Sequence, residues 1–276
     1  VTIENMPKAF TSAASPDTAV FETRPGSLES GLILICDHAS NAMPSDYGDL
    51  GLPQSEFERH IGYDIGVRDL TLLLAERFDA PAVMTTYSRL LIDPNRGEDD
   101  PTLVMRLSDG AVVPGNARVD EAERSARLQR FHKPYHAEID RLIDVHLEAG
   151  RVPALLSVHS YTPVWRSVPR PWHAGVLWDR DPRFPVALLE ALKEDAELVV
   201  GDNEPYDGCL KNDCMYRHGT VRGLPHALLE VRQDLIGERK GVEAWADRLT
   251  PILQRLLRLQ ELHRIEHFGS RADSRV

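Results

Sequence analysis

Residues Leu32-Ile33-Leu34-Ile35-Cys36 are apolar without a break, and the run stops abruptly at Asp37-His38-Ala39-Ser40-Asn41. A short, β-branched, wholly apolar run reads as a strand buried on both faces, the kind found where helices cover a parallel sheet. Polar residues at the C-terminal end of such a strand are where open α/β sheets place their sites. The same pattern returns along the chain. Pro81 to Thr85 and Leu90 to Ile92 read as strands, the second closed by Asp93-Pro94-Asn95-Arg96-Gly97. Pro153 to Val158 ends in His159-Ser160, and Pro225 to Val231 carries Glu230. Val176 to Trp178 and Leu198 to Val200 are further strand candidates.

Helical periodicity separates these runs. It covers Pro53 to Phe78, Val119 to Ala149 with an interruption at Pro134, Pro185 to Asp195 and Val242 to His263. Thr102 to Val113, with Asp109-Gly110 in the middle, reads as a β-hairpin. Strands alternating with helices predict an α/β fold of three layers, a mainly parallel mixed sheet with helices on both faces. Without repeats or a clear linker, the expected organisation is a tail or strap over residues 1–30, a single domain over 31–268 and a C-terminal tail over 269–276.

Composition narrows the function classes. The chain has 276 residues, enough to bury about three quarters of its unfolded surface without a metal or disulfide staple. It carries 32 basic and 43 acidic residues, a net charge of −11. That balance argues against nucleic-acid or anionic-membrane partners, which need a basic footprint. Cys36, Cys209 and Cys214 lack Cys-x-x-Cys spacing, so neither a disulfide framework nor a zinc ribbon is expected, and a cytoplasmic location is. The first 30 residues lack the apolar block of a signal peptide. Gly-x-Ser-x-Gly, P-loop and Gly-x-Gly-x-x-Gly patterns are missing.

The strand-end clusters are far apart in sequence, but a parallel sheet can bring them to one edge. Two neutral histidines and a carboxylate would make a three-ligand site for Zn2+ or another divalent transition metal, with a position left for water. His38 and His159 are the candidate histidines. The third ligand stays open between Asn41, a poor zinc ligand, and two residues on the predicted helix after the first strand, Asp64 and His60. A nearby unliganded Glu230 suits a general base, and Arg96 suits a bidentate grip on a carboxylate. The His132 and His136 pair lacks the intervening Glu of a zinc-protease helix, since Lys133 holds that place.

Leu156-Ser157-Val158-His159-Ser160-Tyr161 resembles the zinc carboxypeptidase segment bearing the last metal histidine. Glu230-Val231-Arg232 resembles that superfamily's catalytic-glutamate strand, and Asn95-Arg96 its carboxylate-gripping pair. From about residue 30 to 265 the chain most resembles the N-formylglutamate amidohydrolase family. The resemblance implies a zinc carboxypeptidase-like fold and a metal-dependent amidohydrolase that cleaves a small N-acyl amino acid, N-formylglutamate foremost. It implies His38 and His159 with Asp64 or Asn41 on the metal, Glu230 as base, and Asn95, Arg96, Arg89 and His136 around the substrate. The loop Asp202 to Gly208 and the His218-Gly219 pair resemble segments near that family's pocket. A metallocarboxypeptidase, another acyl-amino-acid deacylase, or a metal-free binding protein on the same fold are the alternatives. The last takes its ground from Asn41, which stands where carboxypeptidases carry Glu.

Overall fold

The computed structural model describes residues 14–274. Its centre is a seven-stranded sheet of β1 (Phe21–Arg24), β2 (Leu32–Cys36), β3 (Ala82–Thr85), β6 (Ala154–Tyr161), β9 (Ala174–Leu177), β10 (Val200–Asp202) and β11 (His226–Arg232). Two short hairpins, β4 (Leu107–Ser108) with β5 (Ala111–Val112) and β7 (Val164–Trp165) with β8 (Val168–Pro169), stand outside it. The helices are α1 (Gln54–Phe57), α2 (Val67–Phe78), α3 (Glu121–Arg127), α4 (Lys133–Glu148), α5 (Pro185–Lys193) and α6 (Arg239–Leu256).

The strand order is β1-β3-β2-β6-β11-β9-β10. The inner strands β3, β2, β6 and β11 are mutually parallel. At one edge β1 runs antiparallel to β3, and at the other β9 runs antiparallel to β11 while β10 lies parallel to β9. The sheet is therefore mixed and mostly parallel, as the alternation of strands and helices predicts.

Successive side chains of a strand point to opposite faces, so an unbroken apolar run feeds two cores. Leu32, Leu34 and Cys36 pack with Val67, Leu70 and Leu74 of α2 and with Leu249 and Leu253 of α6. Ile33 and Ile35 pack on the other face with Tyr135, Ile139 and Ile143 of α4. In the central ladder Glu230 lies directly beside His159, so both project from the same face.

Four local expectations change. Of the strap expected over residues 1–30, residues 1–13 lie outside the described residues, and Phe21–Arg24 form an edge strand, β1. Residues 90–92 form a turn rather than a strand, because the Ser88 hydroxyl accepts from the Leu90 amide and donates to the Gly62 carbonyl. The helical pattern over 53–78 splits, with irregular backbone between α1 and α2. Gly66 marks the join with φ +81°, and a Cβ there would stand 2.0 Å from the Ile236 carbonyl oxygen. Pro134 is a first-turn residue of α4, and the irregularity precedes it as a π-helical turn over Leu128–His132.

Candidate active site

The C-terminal ends of the inner strands build the site. β2 delivers Asp37 and His38, β6 delivers Ser157 and His159, and β11 delivers Glu230. Asp64 comes from the irregular stretch before α2, where its amide donates to the His38 carbonyl at 3.0 Å. Arg89, Asp93, Asn95 and Arg96 come from the turns after β3. A cavity of about 290 Å³ opens over these groups, lined among others by His38, Asp64, His159, Glu230, Asn95 and Arg96.

His38, Asp64 and His159 each offer one ligand atom, and the three atoms lie within 4.8 Å of one another. The two imidazoles approach Asp64 Oδ2 through Nδ1, at 3.2 Å from His38 and 2.8 Å from His159. Each outer nitrogen is held by another buried carboxylate. His38 Nε2 meets Asp93 Oδ1 at 2.7 Å, and His159 Nε2 meets Asp37 Oδ2 at 3.0 Å. Asp37 is itself fixed by hydroxyl donors from Tyr135 at 3.0 Å and Ser157 at 2.9 Å. Carboxylate-held histidines converging on one point are the usual surroundings of a bound metal, since the outer hydrogen bond sets the tautomer and the ring plane. Two nitrogens and one carboxylate oxygen also form a standard zinc donor set. The residues fit a divalent ion.

The charges are strongly coupled. Burial opposes ionisation of Asp64, yet the facing imidazoles outweigh it and hold this carboxyl far below its ordinary value. Burial likewise opposes a charge on His159, but Asp37 and Asp64 raise it to about 10. Glu230 differs from Asp37, Asp64 and Asp93, which are all held below their ordinary values. Its Oε2 is buried and has no partner, and burial lifts its pKa to about 7.

The remaining candidates take distinct places. Arg96 lines the cavity while donating to the Asn95 carbonyl at 2.7 Å and the Thr102 hydroxyl at 3.2 Å. Asn95 Oδ1 accepts from the Cys214 amide at 3.2 Å. Arg89 also lines the cavity, with its guanidinium donating to Asp93 at 2.7 Å and to Asp64 at 3.4 Å. His136 does not line the cavity; it sits behind the turn with Nε2 donating to the Pro94 carbonyl at 3.0 Å. Asn41 donates to the Phe57 carbonyl at 3.1 Å and lies outside the ligand cluster. His60 lines the cavity, but its Nε2 is 3.5 Å from Asp109 and it belongs to no ligand group. It shares no helix face with Asp64, since neither residue is helical.

Sequence reasoning gave no role to Asp37 or Asp93, the acceptors behind the two histidines. Their signal was adjacency: each opens a polar cluster straight after an apolar run. Trp165, from the β7–β8 hairpin, also reaches the cavity without a signal. The loop after β10 does meet its expectation, with Tyr206, Asp207 and Gly208 at the cavity wall.

A family model described as N-formylglutamate amidohydrolase matches residues 30–237. A gene product of Agrobacterium tumefaciens of known structure is 32% identical, with TM-score 0.83, covering 88% of this chain and 96% of its own. The structure of N-formylglutamate amidohydrolase from Ralstonia eutropha is 21% identical, with TM-score 0.63, covering 87% of this chain and 97% of its own. No curated protein matches the chain.

Proposed function

The chain belongs to the N-formylglutamate amidohydrolase family and is a hydrolase of amides; from that footing we propose that it cleaves the N-acyl amide of an acidic amino acid, N-formylglutamate foremost, with a divalent metal ion. His38, Asp64 and His159 would hold the ion, zinc by donor type. Asp64 would take the ligand place that Asn41 does not fill, which favours a metal enzyme over a metal-free binding protein.

The observation that carries the reading is the orphaned Glu230 oxygen beside the His-Asp-His cluster. An unpartnered polar atom in a buried place costs about 1–3 kcal/mol, so a fold keeps one where function uses it. A bound divalent ion would supply Lewis acidity, which lowers the pKa of a water towards about 7. Glu230 takes the proton of the attacking water and then returns it to the departing amine, a poor leaving group until protonated. Asp93 and Asp37 keep both imidazoles aimed at the cluster throughout. Arg96 grips the substrate carboxylate, and Asn95 shapes the turn that presents it. Arg89 offsets the charge of Asp64 and Asp93. A cavity of about 290 Å³ accommodates a small acylated amino acid.

Assays of formyl-, acetyl- and succinyl-glutamate beside short peptides, with metal content measured on the same preparation, test this directly. Formylglutamate should turn over fastest, activity should vanish on chelation and return with zinc. Full activity in metal-free protein would refute the metal assignment. Cleavage of peptides in preference to acyl-glutamates would refute the substrate.

A further inference from the structure

Behind the turn that carries Asn95 and Arg96 lies a second cluster: His136 of α4, and Cys214 and His218 from the segment that follows the cavity loop. Their exposures are 2%, 0% and 0%. His136 Nε2 stands 3.0 Å from the Pro94 carbonyl oxygen. His218 Nδ1 stands 3.0 Å from Asp140 Oδ1. Both partners only accept, so both outer nitrogens carry the ring hydrogen. In the neutral imidazoles that leaves lone pairs on His136 Nδ1 and His218 Nε2. These two atoms face each other at 2.8 Å.

Two lone pairs at that distance repel, so a positive particle must stand between them. A proton would meet the bare requirement. The cluster holds more than a proton needs, because the Cys214 sulfur and one nitrogen of each ring all lie within 4.8 Å of one another. Outer nitrogens fixed by a carbonyl and a carboxylate also repeat the arrangement behind His38 and His159.

We propose that His136, Cys214 and His218 form a second metal site, closed to solvent, for a borderline-soft divalent transition ion such as Zn2+. Two imidazoles and a thiolate are the donors such ions select, while magnesium and calcium take oxygen. Binding breaks the Cys214 S–H bond, sends that proton to solvent and forms the sulfur–metal bond, with no change of oxidation state. The three ligands come from α4 and the 209–220 segment, so the ion would pin them together beneath Asn95. The proposal stands whether or not the first cluster performs the hydrolysis.

The test strips the full-length protein with chelator and reloads it with Co2+. Two ions per chain should bind, with a near-ultraviolet sulfur-to-cobalt charge-transfer band. Cys214→Ser should lose the band and one ion. His159→Ala should lose the other ion and keep the band, and this variant carries the test should Cys214→Ser fail to fold. One ion per chain without a sulfur band in the wild type would overturn the proposal and leave a proton alone between the rings.

Discussion

Around the two histidines, Asp37, Asp64 and Asp93 each accept two or more hydrogen bonds, whereas Glu230 keeps one oxygen empty. That difference separates groups that hold geometry from the group that moves a proton. A carboxyl raised by burial to about 7 is near the value best suited to general acid–base work at neutral pH. Glu230→Gln should therefore cut kcat by about 10²–10⁴ with metal content unchanged, read from steady-state kinetics and elemental analysis together. Wild-type turnover in that variant would end the assignment. His38, His159 and Glu230 were legible in the sequence because each sits at or near the end of an apolar run. The surroundings of Arg89 and His136 were not. An arginine near a site looks the same in sequence whether it awaits a substrate or is already engaged by Asp93. Only the tertiary fold brings the Pro94 carbonyl to His136.

At the scale of elements, the decisive piece is the irregular stretch between α1 and α2. Apolar spacing alone extends a helix through it, since Leu70, Leu73 and Leu74 set a strong period downstream. The break comes from backbone requirements that periodicity does not encode. At Gly66 the chain turns with positive φ against the Ile236 carbonyl, and this places Asp64 against the two histidines. Gly66→Ala adds a Cβ where none fits and disfavours the backbone conformation. It should lower unfolding stability by about 1–3 kcal/mol and weaken metal retention at the first cluster. Urea unfolding and competitive chelation would measure the two effects, and a variant matching wild type in both would show that the close approach is relieved easily. The central strands were readable because each carries an apolar run, and the long helices because each keeps a helical period over most of its length. The turn at 90–92 was not, because a buried apolar triplet is equally compatible with strand or turn until the Ser88 hydroxyl is seen to cap it.

For the molecule as a whole, the net charge of −11 coexists with Arg96 at the cavity wall, so acceptance of an anionic substrate is a local matter. The histidine complement sets a global response to acid. Burial holds His132, His146 and His226 below the ordinary 6.5 in the folded chain. As pH falls through 6.5, the unfolded chain takes up protons that these folded rings refuse, so their contribution to stability declines on the acid side. Glu230, raised to about 7, works in the opposite sense over the same range, so the share of His226 is read by difference: the urea midpoint of His226→Gln relative to wild type should rise as pH falls from neutral to about 5. A constant difference across that range would show that His226 does not contribute to the decline.

The ladder that sets Glu230 beside His159 admits no slippage, since a shift of one residue would turn one of them to the opposite face. The two hairpins that contribute Ser108 and Trp165 to the cavity are tied into no such ladder, and their tips leave Leu107, Val112, Val164 and Val168 in solvent. Insertions and deletions are thus barred from the strands and tolerated in the hairpins. A lineage built on this scaffold can re-cut its doorway, and so choose new guests, while the hearth stays where it is.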